Sequence, residues 1–371
     1  MWQKMYFLLF SMFILASCSE DETIIDENPD HFNHPLQAFE SSIGEWNWFD
    51  VDGMICRDSS STGIGVRLGN NPKKWVFYLQ GGGACFTPET CGSNPSSYSE
   101  EDFIERVNAN YYEVGIFNDA EDRNPVKDWN VVYIPYCTGD VHSGTKVNGL
   151  PLGGTEPQQF VGNRNVRLLL QFLQPYMEAN AVDEIMITGI SAGGFGTHTS
   201  YFESKKLFPN VKTHVINDSG PLISDPQVFT FCMAVGIQLI YELAIPDGYI
   251  FCCTPTYGLA DIYTLATRVD ANDNFGLISY TEDNTIRYFF GAGQNTCTGG
   301  EIAGEAFKDG LFHLRENVLK PTEKWSSYYV SGSGHTFLYT NAGFFNTKAE
   351  DVYLYDWISD VMNGEVQHIY E

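Results

Sequence analysis

The stretch Met186–His198, reading MITGISAGGFGTH, constrains the fold more than any other part of this chain. Glu184–Gly189 is a short apolar run with the length and bounds of a buried strand, and from Gly193 onward the pattern is that of a helix start. Between them Gly189-Ile190-Ser191-Ala192-Gly193 fits G-x-S-x-G. In that turn a serine is held in strained backbone geometry with its hydroxyl above a sheet, and side chains at the flanking glycines would clash. The pattern alone arises by chance in many chains; behind an apolar strand and ahead of a helix it reads as a nucleophile elbow. Such an elbow requires oxyanion donors before it and an acid and a histidine after it.

At 371 residues the chain can hold one large α/β unit or two small ones, and its 43% apolar content is ample for a core. A 15% aromatic fraction suits carbohydrate- or acyl-binding surfaces, although aromatics also fill cores. The net charge is −26 with no basic run, which argues against nucleic acid and against an anionic lipid surface as partners.

At the amino terminus Lys4 precedes an apolar run, Met5 to Ala16, shorter than the roughly 17–25 residues a membrane-spanning helix needs. The run ends in Leu15-Ala16-Ser17-Cys18, which resembles the lipobox of bacterial lipoproteins. On that resemblance residues 1–17 are a signal peptide and Cys18 is the lipidated first residue of an exported, lipid-anchored protein in the outer membrane, at the cell surface or in the periplasm. Ser19-Glu20-Asp21-Glu22 and the polar residues that follow make 18–35 an acidic tether, too poor in apolar area to fold. The acidic run also resembles the surface-export signal of some Gram-negative lipoproteins.

Eight cysteines remain: Cys56, Cys85, Cys91, Cys137, Cys232, Cys252, Cys253 and Cys297. An even number in an exported protein argues for disulfides, and Cys85 and Cys91 are close enough to close a small loop. The spacings fit no zinc pattern, so neither a metal nor a cofactor is expected.

The folded domain is expected over 36–371. Glu45–Cys56 and Thr62–Leu68 read as hairpin strands, and Trp75–Gln80 as a central strand ending at Gly81-Gly82-Gly83. A glycine-rich loop in that position presents backbone N–H groups, making Gly82 and Gly83, with Ala192 after the serine, the candidate oxyanion donors. Asn94–Asp128 reads as a long polar surface excursion, Trp129–Cys137 as a buried strand, and Gln158–Asn180 as a helix that Pro175 kinks or ends. This alternation implies a parallel sheet. Val211–Ile216 and Gly276–Tyr280 read as further strands, Thr285–Phe290 as helical, Trp325–Val330 as the final strand and Ala349–Met362 as the last helix. The aromatic stretch from about 222 to 275 breaks the alternation, as a cap inserted over a pocket does.

Four blocks occur in order: LQGGGAC (Leu79–Cys85), YCTGDVHSG (Tyr136–Gly144), GISAGGFG (Gly189–Gly196) and NDSGP (Asn217–Pro221). Together they resemble the pectin acetylesterase and Notum family of carboxylesterases, with the blocks spread over most of 36–371. The resemblance implies an α/β-hydrolase fold, a mostly parallel sheet with helices on both faces, and a Ser–Asp–His mechanism that removes acyl groups from oxygen. One departure is His142, which stands where Notum-like members carry a bulky aromatic. Asp140 and His142 are expected to shape or line the pocket.

The elbow fixes Ser191 as nucleophile. His335, in Ser331-Gly332-Ser333-Gly334-His335 directly after the last expected strand, is the candidate base among eight histidines. Asp283, just past a late strand, is the candidate acid, with Asp218 and Glu282 as alternatives; Asp218 also suits a structural role at its strand end. The expected substrate is an acyl ester, most simply an O-acetyl group on an extracellular polysaccharide. A neutral glycan fits the charge better than polygalacturonate. Longer fatty-acyl esters on lipid or protein, or glycan binding without catalysis, are the alternatives. The expected protein is a monomer that meets the membrane through its anchor alone.

Overall fold

Strand Asn71–Leu79 buries Trp75, Phe77 and Leu79 toward one side and Val76 and Tyr78 toward the other. A strand apolar on both faces must be covered on both, which selects a parallel sheet between helical layers. The computed structural model, which describes residues 34–229, 231–246, 258–295 and 302–371, has this architecture. Its sheet comprises β1 (Trp46–Ile55), β2 (Ser61–Arg67), β3 (Asn71–Leu79), β4 (Trp129–Ile134), β5 (Glu184–Ile190), β6 (Lys212–Asp218), β7 (Asn274–Tyr280), β8 (Trp325–Val330) and β9 (His368–Tyr370). The order is β1-β2-β4-β3-β5-β6-β7-β8-β9, with β1–β2 and β2–β4 antiparallel and every later pairing parallel.

The helices that cover it are α1 (Glu100–Asn108), α2 (Gly162–Ala179), α3 (Ala192–Leu207), α4 (Phe231–Tyr241), α5 (Asn284–Asn295), α6 (Gly304–Leu314) and α7 (Leu354–Met362). On one face Val166, Leu169, Leu170 and Leu173 of α2 and Leu311 and Leu314 of α6 join Trp75, Ile185, Phe275 and Trp325. On the other, Trp357, Ile358 and Val361 of α7 join Tyr78, Met186, Ile216 and Tyr328.

Four expectations about elements are corrected. Residues 94–128 are not a surface excursion: Tyr98, Phe103, Tyr112, Ile116 and Phe117 are buried and roof the β1–β4 end of the sheet. Their aromatics sit on short turns and on α1, whose start is fixed by a Ser99–Asp102 capping box, so no long period marks them. Gln158–Phe160 is a short strand, not helix, because it pairs with Lys146–Gly149; α2 starts at Gly162 and continues past Pro175 to Ala179. Trp325–Val330 is not the last strand, since the three-residue β9 adds to its edge. Residues 348–353 form a small hairpin before α7 instead of its first turn.

Two disulfides are described: Cys85–Cys91, the expected small loop, and Cys56–Cys137, which ties the chain after β1 to the chain after β4 across 81 residues. The signal segment 1–17, Cys18, the tether up to residue 33, Cys252, Cys253, Cys297 and the side chain of Cys232 lie outside the described residues. Among the described residues no helix is long and apolar enough to cross a membrane, and no cluster of His, Cys, Asp and Glu could hold a metal ion. Replacing both Cys56 and Cys137 by Ser is expected to cost about 2–5 kcal/mol, because the long loop they close regains its freedom in the unfolded chain. Denaturant unfolding under oxidising conditions checks this, and an unchanged midpoint would refute it.

Candidate active site

β5 delivers Ser191 onto the first turn of α3 with φ 56° and ψ −118°, a left-handed conformation rare for a side-chain-bearing residue. The Ser191 N–H donates to the Asp218 carbonyl (2.8 Å), and the Ser191 carbonyl accepts from Phe195 N–H (3.1 Å). The flanking glycines are required by contact: a Cβ on Gly193 would lie 2.0 Å from the Leu79 carbonyl oxygen.

The acid-bearing and histidine-bearing turns follow β7 and β8, which are neighbours in the sheet. They are zipped together by Thr281 N–H to Val330 O (2.9 Å), Glu282 N–H to Gly332 O (2.9 Å) and Asn284 N–H to Ser333 O (3.3 Å). The fully buried Asp283 accepts from the Thr285 and Ile286 N–H groups through Oδ1 (2.9 and 3.0 Å), capping α5. Its Oδ2 lies 2.7 Å from His335 Nδ1. With Nδ1 as the donor, His335 Nε2 is left as the basic nitrogen. No hydrogen bond joins His335 to Ser191 among the described residues; in unliganded sites such bonds are commonly open.

The glycine loop lies against the elbow, so that a Cβ on Gly81 would come 3.1 Å from the Ser191 Cβ. Tyr136 pins the loop: its hydroxyl donates to the Gly83 carbonyl (2.8 Å) and accepts from Val141 N–H (2.9 Å). The N–H groups of Gly82, Gly83 and Ala192 donate to no described acceptor.

Ser191 opens onto a cavity whose wall is almost wholly apolar, built by Phe86, Phe195, Phe229, Met233, Ile237 and Phe289 with their neighbours. Further lining comes from Leu222, Tyr241 and Leu243, from Leu259 and Ile262, and from Ile286, Phe289 and Phe290 of α5. These liners had no individual signature in the sequence; several fall within the aromatic stretch 222–275, whereas Ile286, Phe289 and Phe290 lie beyond it.

Asp140 and His142, expected to shape or line the pocket, are not among the residues that line this cavity. Asp140 is fully buried, accepting from Thr138 Oγ1 (2.6 Å) and Gly162 N–H (2.7 Å), and burial raises its pKa. His142 Nε2 lies 2.8 Å from the Gln80 carbonyl, and burial pushes its pKa down to about 4. Both brace the loops beneath the site, where a turn rich in polar residues needs internal hydrogen-bond partners. Glu282 places its carboxylate beside Gly304 and makes no described hydrogen bond to the imidazole. Asp218 accepts Phe337 and Leu338 N–H groups and makes no contact with an imidazole nitrogen.

Residues 47–241, more than half of the chain, match the family model described as Pectinacetylesterase. The chain belongs to the pectinacetylesterase family. Among relatives, the palmitoleoyl-protein carboxylesterase NOTUM of Schmidtea mediterranea is 32% identical over 225 residues, 56% of this chain and 41% of that protein. The palmitoleoyl-protein carboxylesterase notum1a of Danio rerio is 24% identical over 57% of this chain and 45% of its own. The aligned stretch thus spans less than half the length of these curated relatives. A crystal structure of the Wnt deacylase Notum from Drosophila superposes with a TM-score of 0.60 over 87% of this chain and 95% of that one, at 18% identity, and shares the fold.

In this pectinacetylesterase-family chain, His198 is a buried histidine on the cavity wall, with Nε2 3.1 Å from Asn217 Nδ2 and its pKa pushed down to about 3 by burial. Its folded pKa lies below the unfolded value of 6.5, so the unfolded chain takes up the proton first. The stability it contributes is present above pH 6.5 and is lost as pH falls toward the folded pKa, at up to about 1.4 kcal/mol per pH unit. His198→Gln removes this share, so the difference in unfolding free energy between the two proteins should change steadily from pH 6.5 to 4.5, in favour of the variant. A pH-independent difference in urea titrations would contradict the assignment.

Proposed function

We propose that this chain is a serine carboxylesterase whose preferred acyl group is a medium or long hydrocarbon chain. The observation that carries the reading is the placement of Ser191 on the wall of an almost entirely apolar cavity. Burying hydrocarbon there gains about 0.8 kcal/mol per methylene, whereas an acetyl group offers one methyl to a wall built from many aromatic and aliphatic side chains. The acyl group named for the Notum relatives, palmitoleoyl, is of the longer class. The pectinacetylesterase family match keeps acetylated polysaccharide as the second reading, with a neutral glycan fitting the −26 charge better than polygalacturonate.

In the proposed mechanism Ser191 Oγ attacks the ester carbonyl as its proton passes to His335 Nε2, and Asp283 stabilises the imidazolium. The N–H groups of Gly82, Gly83 and Ala192 hold the oxyanion. Collapse expels the alcohol, which takes the proton from His335 and leaves an acyl-Ser191 ester. Water then gives its proton to His335 and attacks that ester; collapse returns the proton to Ser191 and releases the carboxylic acid. No cofactor is called for. The lipoprotein signal and a lipid anchor at Cys18 belong to the same proposal, since an exported esterase meets acyl esters outside the cell.

A p-nitrophenyl ester ladder from acetate to palmitate tests the acyl preference, with protein lacking residues 1–18. The expected result is kcat/KM rising to eight carbons or more. A steep preference for acetate would replace this reading with the deacetylase one. Ser191→Ala should lose on the order of 10⁶-fold in kcat and Asp283→Asn about 10⁴-fold. Turnover that survives Ser191→Ala would sink the mechanism, and absence of turnover on any ester would favour non-catalytic glycan binding.

A further inference from the structure

We infer that Asp218 is a positioning residue that sets the distance between the nucleophile and the histidine; this rests on the carboxylesterase reading above. The dipeptide Asp218-Ser219 touches every element that carries the proposed triad. The Asp218 carbonyl accepts the N–H of Ser191 (2.8 Å). The Asp218 carboxylate, through Oδ2, accepts the N–H groups of Phe337 (2.7 Å) and Leu338 (2.9 Å), just beyond His335. The N–H of Ser219 donates to the Ile278 carbonyl (2.8 Å) on β7, the strand that leads to Asp283. Ser219 Oγ donates to Asp218 Oδ1 (2.9 Å), and Ser219 itself holds φ 60°. That strain persists because the surrounding bonds over-determine it.

The carboxylate is fully buried, yet no cationic side chain pairs with it among its described contacts. Two backbone donors and one hydroxyl are a costly way to hold a structural charge, and an apolar residue would cap a strand end more cheaply. What the charge does here is bind a loop: residues 331–336 follow β8, and Asp218, whose carbonyl holds the Ser191 N–H, is the clamp at their far end. The titratable groups near it are His335, Tyr280 and Tyr78. Tyr280 stacks on Phe337 with ring centroids 4.2 Å apart, closing the clamp from the β7 side. Burial pushes the carboxyl up to about 6, with the two N–H bonds and the His335 charge opposing that rise.

The test uses the protein without residues 1–18, an ester turned over by wild type, and a fluorophosphonate to count reactive Ser191. Asp218→Ala leaves two buried N–H groups without an acceptor. Per titrated site, its kcat should fall about 10²-fold or more with KM within about threefold, because the binding cavity is untouched. Asp218→Asn retains an acceptor oxygen and should recover most of that loss. Asp218→Glu keeps the charge but lengthens the clamp, so its kcat per titrated site should fall about 10-fold or more with KM within about threefold. Should the alanine variant fail to fold, Asp218→Glu alone decides. Wild-type kcat per site in Asp218→Ala or in Asp218→Glu, or no recovery in Asp218→Asn, would overturn the inference. Either result in an enzyme whose turnover still requires Ser191 leaves the esterase reading standing; turnover independent of Ser191 would remove that reading instead.

Discussion

The site depends on one backbone conformation. Ser191 in the left-handed region costs on the order of 1–3 kcal/mol, and it persists because the register around it leaves no alternative. Gly189 pairs with Leu79 and Ile190 with Asp218 across the parallel ladder, so β5 ends one residue before the serine with a neighbour on each side. The Asp218 carbonyl then takes the Ser191 N–H, and α3 starts at once, its first turn pressed against the Leu79 carbonyl where only glycine fits. The serine hydroxyl is thereby projected toward the cavity and not into the ladder.

Parallel strands end on one edge, and that edge assembles the chemistry. The glycine loop follows β3, Ser191 follows β5, Asp218-Ser219 follows β6, the Asp283 turn follows β7 and the His335 loop follows β8. These strands are consecutive neighbours in the sheet, so Asp218 reaches the N–H of Phe337, 119 positions away, without a long loop having to reach across. The same arrangement explains why the acid caps a helix: a turn leaving a parallel strand enters its helix within a few residues, and the N-terminal N–H groups hold the carboxylate while its second oxygen faces the imidazole.

Around this edge the protein separates polar from apolar surface sharply. His142, His198, Asp140 and Asp218 are buried and absorbed in hydrogen bonds that brace loops, and burial pushes each toward its neutral form. The cavity wall that remains for a ligand is nearly free of polar atoms. A carbonyl placed beside Ser191 would therefore meet its few donors in a poorly solvated setting, where they act most strongly.

Much of this was legible in the chain. G-x-S-x-G behind an apolar run located the elbow, since the turn tolerates few residue types; Gly81–Gly83 marked the candidate donors, and the alternation of strands and helices gave the parallel sheet. His335 stood out because a glycine-rich turn after a strand exposes a side chain. The aromatics of 94–128 and the three-residue β9 were invisible, because short irregular segments bury through contacts with distant residues and leave no period. Asp140 and His142 misled for the opposite reason: a polar loop motif reads the same whether its side chains face a ligand or the loop's own backbone. Local stereochemistry, written in glycines and apolar spacing, let the sequence alone determine the elbow, the fold class and the candidate base. The tertiary structure decided which carboxylate meets the imidazole, where Asp218 spends its oxygens and how apolar the cavity is, because each depends on long-range packing that no local pattern encodes.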